Sequence, residues 1–181
     1  SVTLCLGHPD IGEAREVMRL AFDEVSKIDD LMSVHKEKSE VSALNQNSLL
    51  KGASADLIEV VEGAICYSKL SDGAFDITIS PILDLWKEKV DEGKVPTVEE
   101  IRRTLKLVNY RNIIVEDRNI RFKKAGMGVT LVGIAKGYAV DRAIETLRQK
   151  NIGHALMNAG GDIRVIGTKT KGSPWRVVVQ D

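Results

Sequence analysis

The stretch "GIAKG", residues 133–137, sets a lysine between glycines just ahead of an amphipathic run. Glycines let a backbone come close to a ligand, a helix N-terminus offers free N–H groups, and a lysine reaches an oxyanion. The segment therefore has the parts of a phosphate cradle. It lacks the Gly-Lys-Ser/Thr triplet of a triphosphate-binding loop, and Gly126 with Gly128 does not complete a Gly-x-Gly-x-x-Gly pattern. The plainer reading is a strand-to-helix turn with Lys136 in water. Residue types alone favour it, because helix starts without ligands are common.

Two other stretches carry a similar pair of readings. "DGAFDIT" (72–78) packs Asp72, Asp76 and Thr78 around an apolar pair. These groups either face a ligand or form a helix C-cap followed by an Asx-turn. "NAGGD" (158–162) lies between two strand-like runs. It is either a hairpin with flexible glycines or backbone exposed to a ligand, with Asn158 or Asp162 as polar anchors. His8, His35 and His154 have no metal-ligand spacing, and Cys5 and Cys66 sit in no cluster. Cys66 is expected to be buried as a small hydrophobe, and Trp86 and Trp175 to pack in the core or at its edge, Trp86 being also able to flank a planar ligand.

The elements that must position these groups follow from periodicity and punctuation. From Asp10 to Met32 apolar residues keep a helical period, and Asp10 with Glu13 resembles a capping box. A short helical turn is expected at 39–45, a helix from about Ser54 to Leu70 stopped by Asp72-Gly73, and a third helix from Pro96-Thr97. "AFDITISPILDLW" is apolar without a clean period, and Pro81 forbids a central strand there. The charge run "WKEKVDEGK" reads as a solvated loop. "NIIVE" and "NIRF" flank Asp117-Arg118 as a hairpin. "SVTLCL", "GVTLVGI", "ALMN", "IRVIG" and "WRVVVQ" read as strands, and Tyr138 to Lys150 as a helix stopped by Gly153. Helices followed by a mostly antiparallel sheet region, with one helix inserted, give an α+β fold.

The chain has 181 residues, 43% of them apolar, with Lys+Arg and Asp+Glu both at 26. That size suits one domain with a full core. A formal net charge of zero argues against non-specific affinity for nucleic acid or an anionic membrane. No apolar run is long enough to span a bilayer, and no signal segment is visible.

Taken in order, the three stretches resemble one family, the ApbE-type flavin transferases (FAD:protein FMN transferases). "LMSVHKEKSEVSALN" is similar to the family segment in which Met-Ser leads to Ser-Glu-x-Ser-x-x-Asn. "DGAFDITISPILDLW" is similar to its Gly-x-Phe-Asp-x-Thr segment, and "GIAKGYAVDRA" and "NAGGDIRVIG" to its two most distinctive stretches. The resemblance implies an enzyme that uses FAD and Mg²⁺, joins FMN to a Thr or Ser hydroxyl of a flavin-accepting target protein, and releases AMP. Alternatives are a FAD pyrophosphatase giving FMN and AMP, a non-catalytic flavin-binding module, and a structural domain that no longer binds flavin.

By the same resemblance, Met32, His35, Ala74, Phe75, Asp76, Thr130, Lys136, Asn158 and Asp162 would contact FAD, and the Gly133 carbonyl would help hold Mg²⁺. Thr130 stands where the family usually has an aspartate, and His35 where it often has an aromatic residue. The residues are expected to form a single ApbE-like domain over 1–181, incomplete at its C-terminus and without the segment that completes the metal site. No catalytic group is assigned. The resemblance suggests the cell envelope, with the cytoplasm as the alternative, and leaves the oligomeric state open.

Overall fold

The computed structural model describes residues 1–169 and 172–178. The chain divides into two compact units, one made of Ser1–Asp29 with the chain from Ala135 onward, the other of Asp30–Ile134.

The first unit is built on an antiparallel sheet of β1 (Val2–Leu6), β5 (Ala155–Ala159) and β6 (Asp162–Ile166), in the order β1-β5-β6. The register sets Leu4 opposite Met157, Asn158 opposite Ile163 and Ala159 opposite Asp162. On β5 the residues Ala155, Met157 and Ala159 alternate inward. They meet Val140, Ala143, Ile144 and Leu147 of α6 (Ala135–Gln149) and Val17 and Ala21 of α1 (Ile11–Met32). Met157, Ile144 and Leu147 are fully buried, each side chain worth about 1.5–3 kcal/mol by transfer. Asp10 caps α1 as expected, its Oδ1 accepting from Glu13 N at 2.7 Å. The return bond of a capping box is replaced, since Asp10 N donates to His8 Nδ1.

Two boundaries differ from the sequence reading. α6 begins at Ala135 rather than Tyr138, so Lys136 and Gly137 lie in its first turn. Its stop is Asn151, at φ +59°, not Gly153. Ile152 N reaches back to Leu147 O at 3.0 Å across that left-handed residue, a Schellman-type ending that asparagine tolerates. The strand expected at "WRVVVQ" is absent over 175–178, where the half-buried Trp175 indole instead donates to Ile166 O at 3.2 Å. Its remaining residues, 179 and 180, lie outside the described residues.

The second unit holds α2 (Glu40–Asn47), α3 (Ala55–Leu70), α4 (Ser80–Asp91), α5 (Val98–Leu105) and an antiparallel sheet. Its strands β2 (Leu49–Leu50), β3 (Ile113–Glu116) and β4 (Asn119–Phe122) run in the order β2-β4-β3. The hairpin turns on Asp117 and Arg118, both at positive φ, as a two-residue type I′ turn requires. α2 is longer than the expected turn. Ser39 Oγ caps it by accepting from Ser42 N at 3.0 Å, and Glu40 accepts from Ser54 N and Oγ, tying α2 to the start of α3.

Four expectations fail here for physical reasons. "GVTLVGI" is not a strand. Val129 satisfies its N–H and C=O on the Asn45 side chain (2.8 and 2.9 Å), and Thr130 N donates to Ile77 O, so the buried run 127–131 needs no ladder. The charge run after Trp86 is helix, since α4 continues to Asp91, with Pro81 in the first turn where its missing N–H costs nothing. Trp86 is 41% exposed on that helix rather than in the core. Cys66 is exposed: the buried stripe of α3 runs Leu57, Val60, Val61, Ala64, Ser68, and Cys66 sits two residues, about 200° of helix turn, from Ala64. No helix among the described residues is long and apolar enough to cross a membrane.

Candidate functional site

Most of the sequence-predicted residues fall into two groups, one inside each unit, and Met32 and His35 stand outside both. In the second unit, α3 ends at Leu70, and Asp72 and Gly73 turn the chain at positive φ. Phe75 N then donates to Ser71 Oγ at 3.0 Å, which sets the direction in which the segment leaves the helix. The Phe75 ring lies against Gly133, where a Cβ would stand 3.1 Å from Phe75 Cε2. Only a residue without a side chain leaves that contact relaxed. Tyr67, Leu70, Ser71, Phe75, Gly133 and Ile134 line an open, mainly apolar cleft of about 430 Å³.

Asp76 does not point a free carboxylate at this cleft. Its Oδ1 accepts from Thr78 N (2.8 Å) and Thr78 Oγ1 (2.6 Å), and its Oδ2 from Tyr110 N (2.9 Å). The Asx-turn reading therefore describes what its side chain does here. Ala74 is exposed beside Phe75, and Thr130 is buried, bonded through its backbone to Ile77. Met32 is buried at the end of α1, and His35 is exposed in the turn that follows. Neither lines the Phe75 cleft.

In the first unit, Lys136 leaves the first turn of α6 and meets the β5–β6 hairpin. Its Nζ donates to Gly160 O at 3.3 Å and stands 3.2 Å from Asp162 Oδ2. Gly160 and Gly161 form the two-residue turn, both at positive φ, and Asn158 Oδ1 accepts from Gly161 N at 2.9 Å. Lys136, Asn158 and Asp162 are thus brought to one hairpin mouth, with the lysine about half-exposed. An ammonium has three donors. Two are engaged at long distance, leaving one for a ligand oxygen.

Sequence reasoning missed Tyr67, Leu70 and Ser71 as cleft walls, and Tyr110 as a partner of Asp76. Nothing in their spacing marks them, since their roles arise from packing. The Gly133 carbonyl is one neutral oxygen. Among the described residues no three His, Cys, Asp or Glu side chains converge on a metal-sized space.

Residues 2–181 match the ApbE family. The FAD:protein FMN transferase of Haemophilus influenzae is 33% identical over 162 residues, 82% of this chain and 46% of that protein. The Vibrio cholerae FAD:protein FMN transferase is 27% identical over 176 residues, 95% of this chain and 53% of that protein. Among solved structures, a point mutant of the flavin transferase ApbE from Vibrio cholerae superposes with a TM-score of 0.90 at 27% identity, over 99% of this chain and 63% of that one. The ApbE protein of Thermotoga maritima gives 0.88 at 31% identity, over 99% and 60%. The chain spans about half the length of the curated relatives it matches.

Proposed function

This chain belongs to the ApbE family, and we propose that it carries FAD-binding residues of an enzyme that moves FMN from FAD to a Thr or Ser hydroxyl of a target protein. In that reaction the hydroxyl oxygen bonds to the FMN phosphorus and the bond from that phosphorus to the bridging oxygen breaks. AMP leaves with the bridging oxygen, and the hydroxyl proton passes to water.

The observation that carries the reading is the seat of Lys136, in the first turn of α6 beside the Gly160–Gly161 turn. Phosphoryl transfer asks a protein chiefly for positioning and for neutralisation of spreading negative charge. A lysine with a donor to spare, next to helix-start N–H groups, supplies that charge where a pyrophosphate oxygen would rest. Taken separately, the Phe75 cleft, apolar with an aromatic wall, has the character of a surface for a flat ring.

For Mg²⁺ the described residues do not suffice. Mg²⁺ takes about six oxygen ligands in near-octahedral array, and the Gly133 carbonyl alone is no such site. No step is therefore routed through the metal, and its requirement is a matter for the test below.

That test is AMP release from FAD by the purified protein, with Mg²⁺ and then with EDTA. Metal-dependent AMP supports transfer chemistry, and a target peptide bearing a hydroxyl should then gain the mass of FMN less one water. FAD bound without AMP in either condition would overturn the catalytic reading and leave a flavin-binding module.

A further inference from the structure

Thr78 has no part in the chemistry above, yet it is completely buried, at 0% exposure. Its hydroxyl donates to Asp76 Oδ1 at 2.6 Å and accepts from Asn109 N at 2.8 Å. Asp76 Oδ2 accepts from Tyr110 N, and Ile77 O accepts from Thr130 N at 2.8 Å. One turn, 76–78, thereby clamps two segments distant in sequence. The first runs through 109–110. The second, through Thr130, reaches Gly133 three residues later. Phe75 is the residue immediately before the clamp, and its ring is the wall against Gly133.

We infer that Thr78 is a positioning residue for the Phe75–Gly133 cleft, and that through this cleft it sets FAD affinity; the inference rests on the FAD reading given above. The hydroxyl is the only group of Thr78 able both to donate to Asp76 and to accept from Asn109. Replacing it by a methyl leaves the part-buried Asn109 N–H without its acceptor and takes one donor from Asp76, which is costly. The turn keeps its bonds to Tyr110 and Thr130 but loses the hydroxyl that ties Asp76 to Asn109, so the turn that carries Phe75 is held less firmly. A valine fills the same volume, so the change is in hydrogen bonding and not in packing.

The experiment compares Thr78→Val, Thr78→Ser and a control, Ser54→Ala, which loses the α3 cap far from the clamp. FAD affinity is read by flavin fluorescence well below each melting temperature, and amide exchange at Gly133 and Ile134 is read without ligand. T78V should weaken FAD about tenfold or more, the loss of one buried hydrogen-bonded anchor. T78S should restore affinity to within about threefold of the wild type. S54A should lower the melting temperature but leave affinity unchanged. If T78V does not fold, Thr78→Cys, with its weaker hydrogen bonding, takes its place against T78S. Wild-type affinity in the variant lacking the hydroxyl would overturn the inference. Should the wild type itself not bind FAD, the FAD reading fails and exchange decides. Faster exchange at Gly133 and Ile134 in T78V than in S54A sustains positioning, and equal exchange overturns it.

Discussion

Asp162 Oδ2 lies 3.2 Å from Lys136 Nζ, so the cation at the start of α6 has a carboxylate partner before any ligand arrives. Both groups are about half-exposed, and such a pair contributes about 0–1 kcal/mol. It orients the lysine cheaply without competing strongly with an incoming anion. A phosphate oxygen approaching the Gly160–Gly161 turn would find the ammonium already aimed there.

Lys136→Ala should therefore weaken FAD more than FMN or riboflavin, because only FAD carries the pyrophosphate. The loss for FAD should be about 10–100-fold, the range for a charge-assisted hydrogen bond. Titrations with the three flavins measure it. Equal losses for all three would place Lys136 away from the pyrophosphate.

Asp76→Asn should lower stability before anything else. The carboxylate satisfies three donors through two oxygens. An amide keeps one acceptor and turns an NH₂ towards either Tyr110 N or Thr78, leaving an unpaired donor worth about 1–3 kcal/mol. The melting temperature should fall clearly. An unchanged melting curve with lost FAD binding would instead make Asp76 a ligand contact first.

The parts of the fold legible in the sequence are those whose causes are local. Asp10, Ser54 and Thr97–Glu100 announce helices because a cap needs only its next three residues. The segment 128–134 has the alternation of a strand, but its backbone partner is the Asn45 side chain, 84 residues away, which local pattern does not reveal. α4 hid because the apolar run 74–86 joins a tight 3-10 turn, Ile77–Ile79, to the first half of the helix, so no single period runs through it. The candidate site divides the same way. Lys136, Asn158 and Asp162 were named from motifs and do meet at one hairpin, whereas Met32 and His35 stand apart from the Phe75 cleft. Phe75 faces Tyr67 and Leu70 only because the chain turns at Asp72 and Gly73, which no spacing rule describes.

Glu100 gives the protein a pH-dependent joint between α4 and α5. The Lys89 ammonium at 2.9 Å, then the Thr97 N–H and hydroxyl, hold its carboxyl down to about 2 from an ordinary 4.5. A folded-state pKa below the unfolded one adds stability that is complete above the unfolded value and is lost as the pH falls through the folded value. Lys89, raised above its ordinary 10.5 chiefly by Glu100, loses its part only at alkaline pH. Urea midpoints between about pH 5 and about pH 2 should thus fall more steeply in the wild type than in Glu100→Gln. Parallel curves would show that this pair does not anchor α5.

Gly133→Ala tests the cleft from its other wall. The backbone at Gly133 is not left-handed, so an alanine pays no dihedral strain; its cost is the Cβ placed 3.1 Å from Phe75 Cε2. Phe75 is only half-buried at the rim of an open cleft, so its ring can give way, and the stability change should stay below about 1 kcal/mol. The ring then leaves the position that shapes the wall, and FAD affinity should fall about three- to tenfold. Phe75→Leu and the double variant separate cause from coincidence. If the contact is the route, the two losses should overlap, with a coupling of about 0.5 kcal/mol or more between residues that touch. Losses that simply add would mean that Gly133 affects the ligand through its own backbone and not through Phe75.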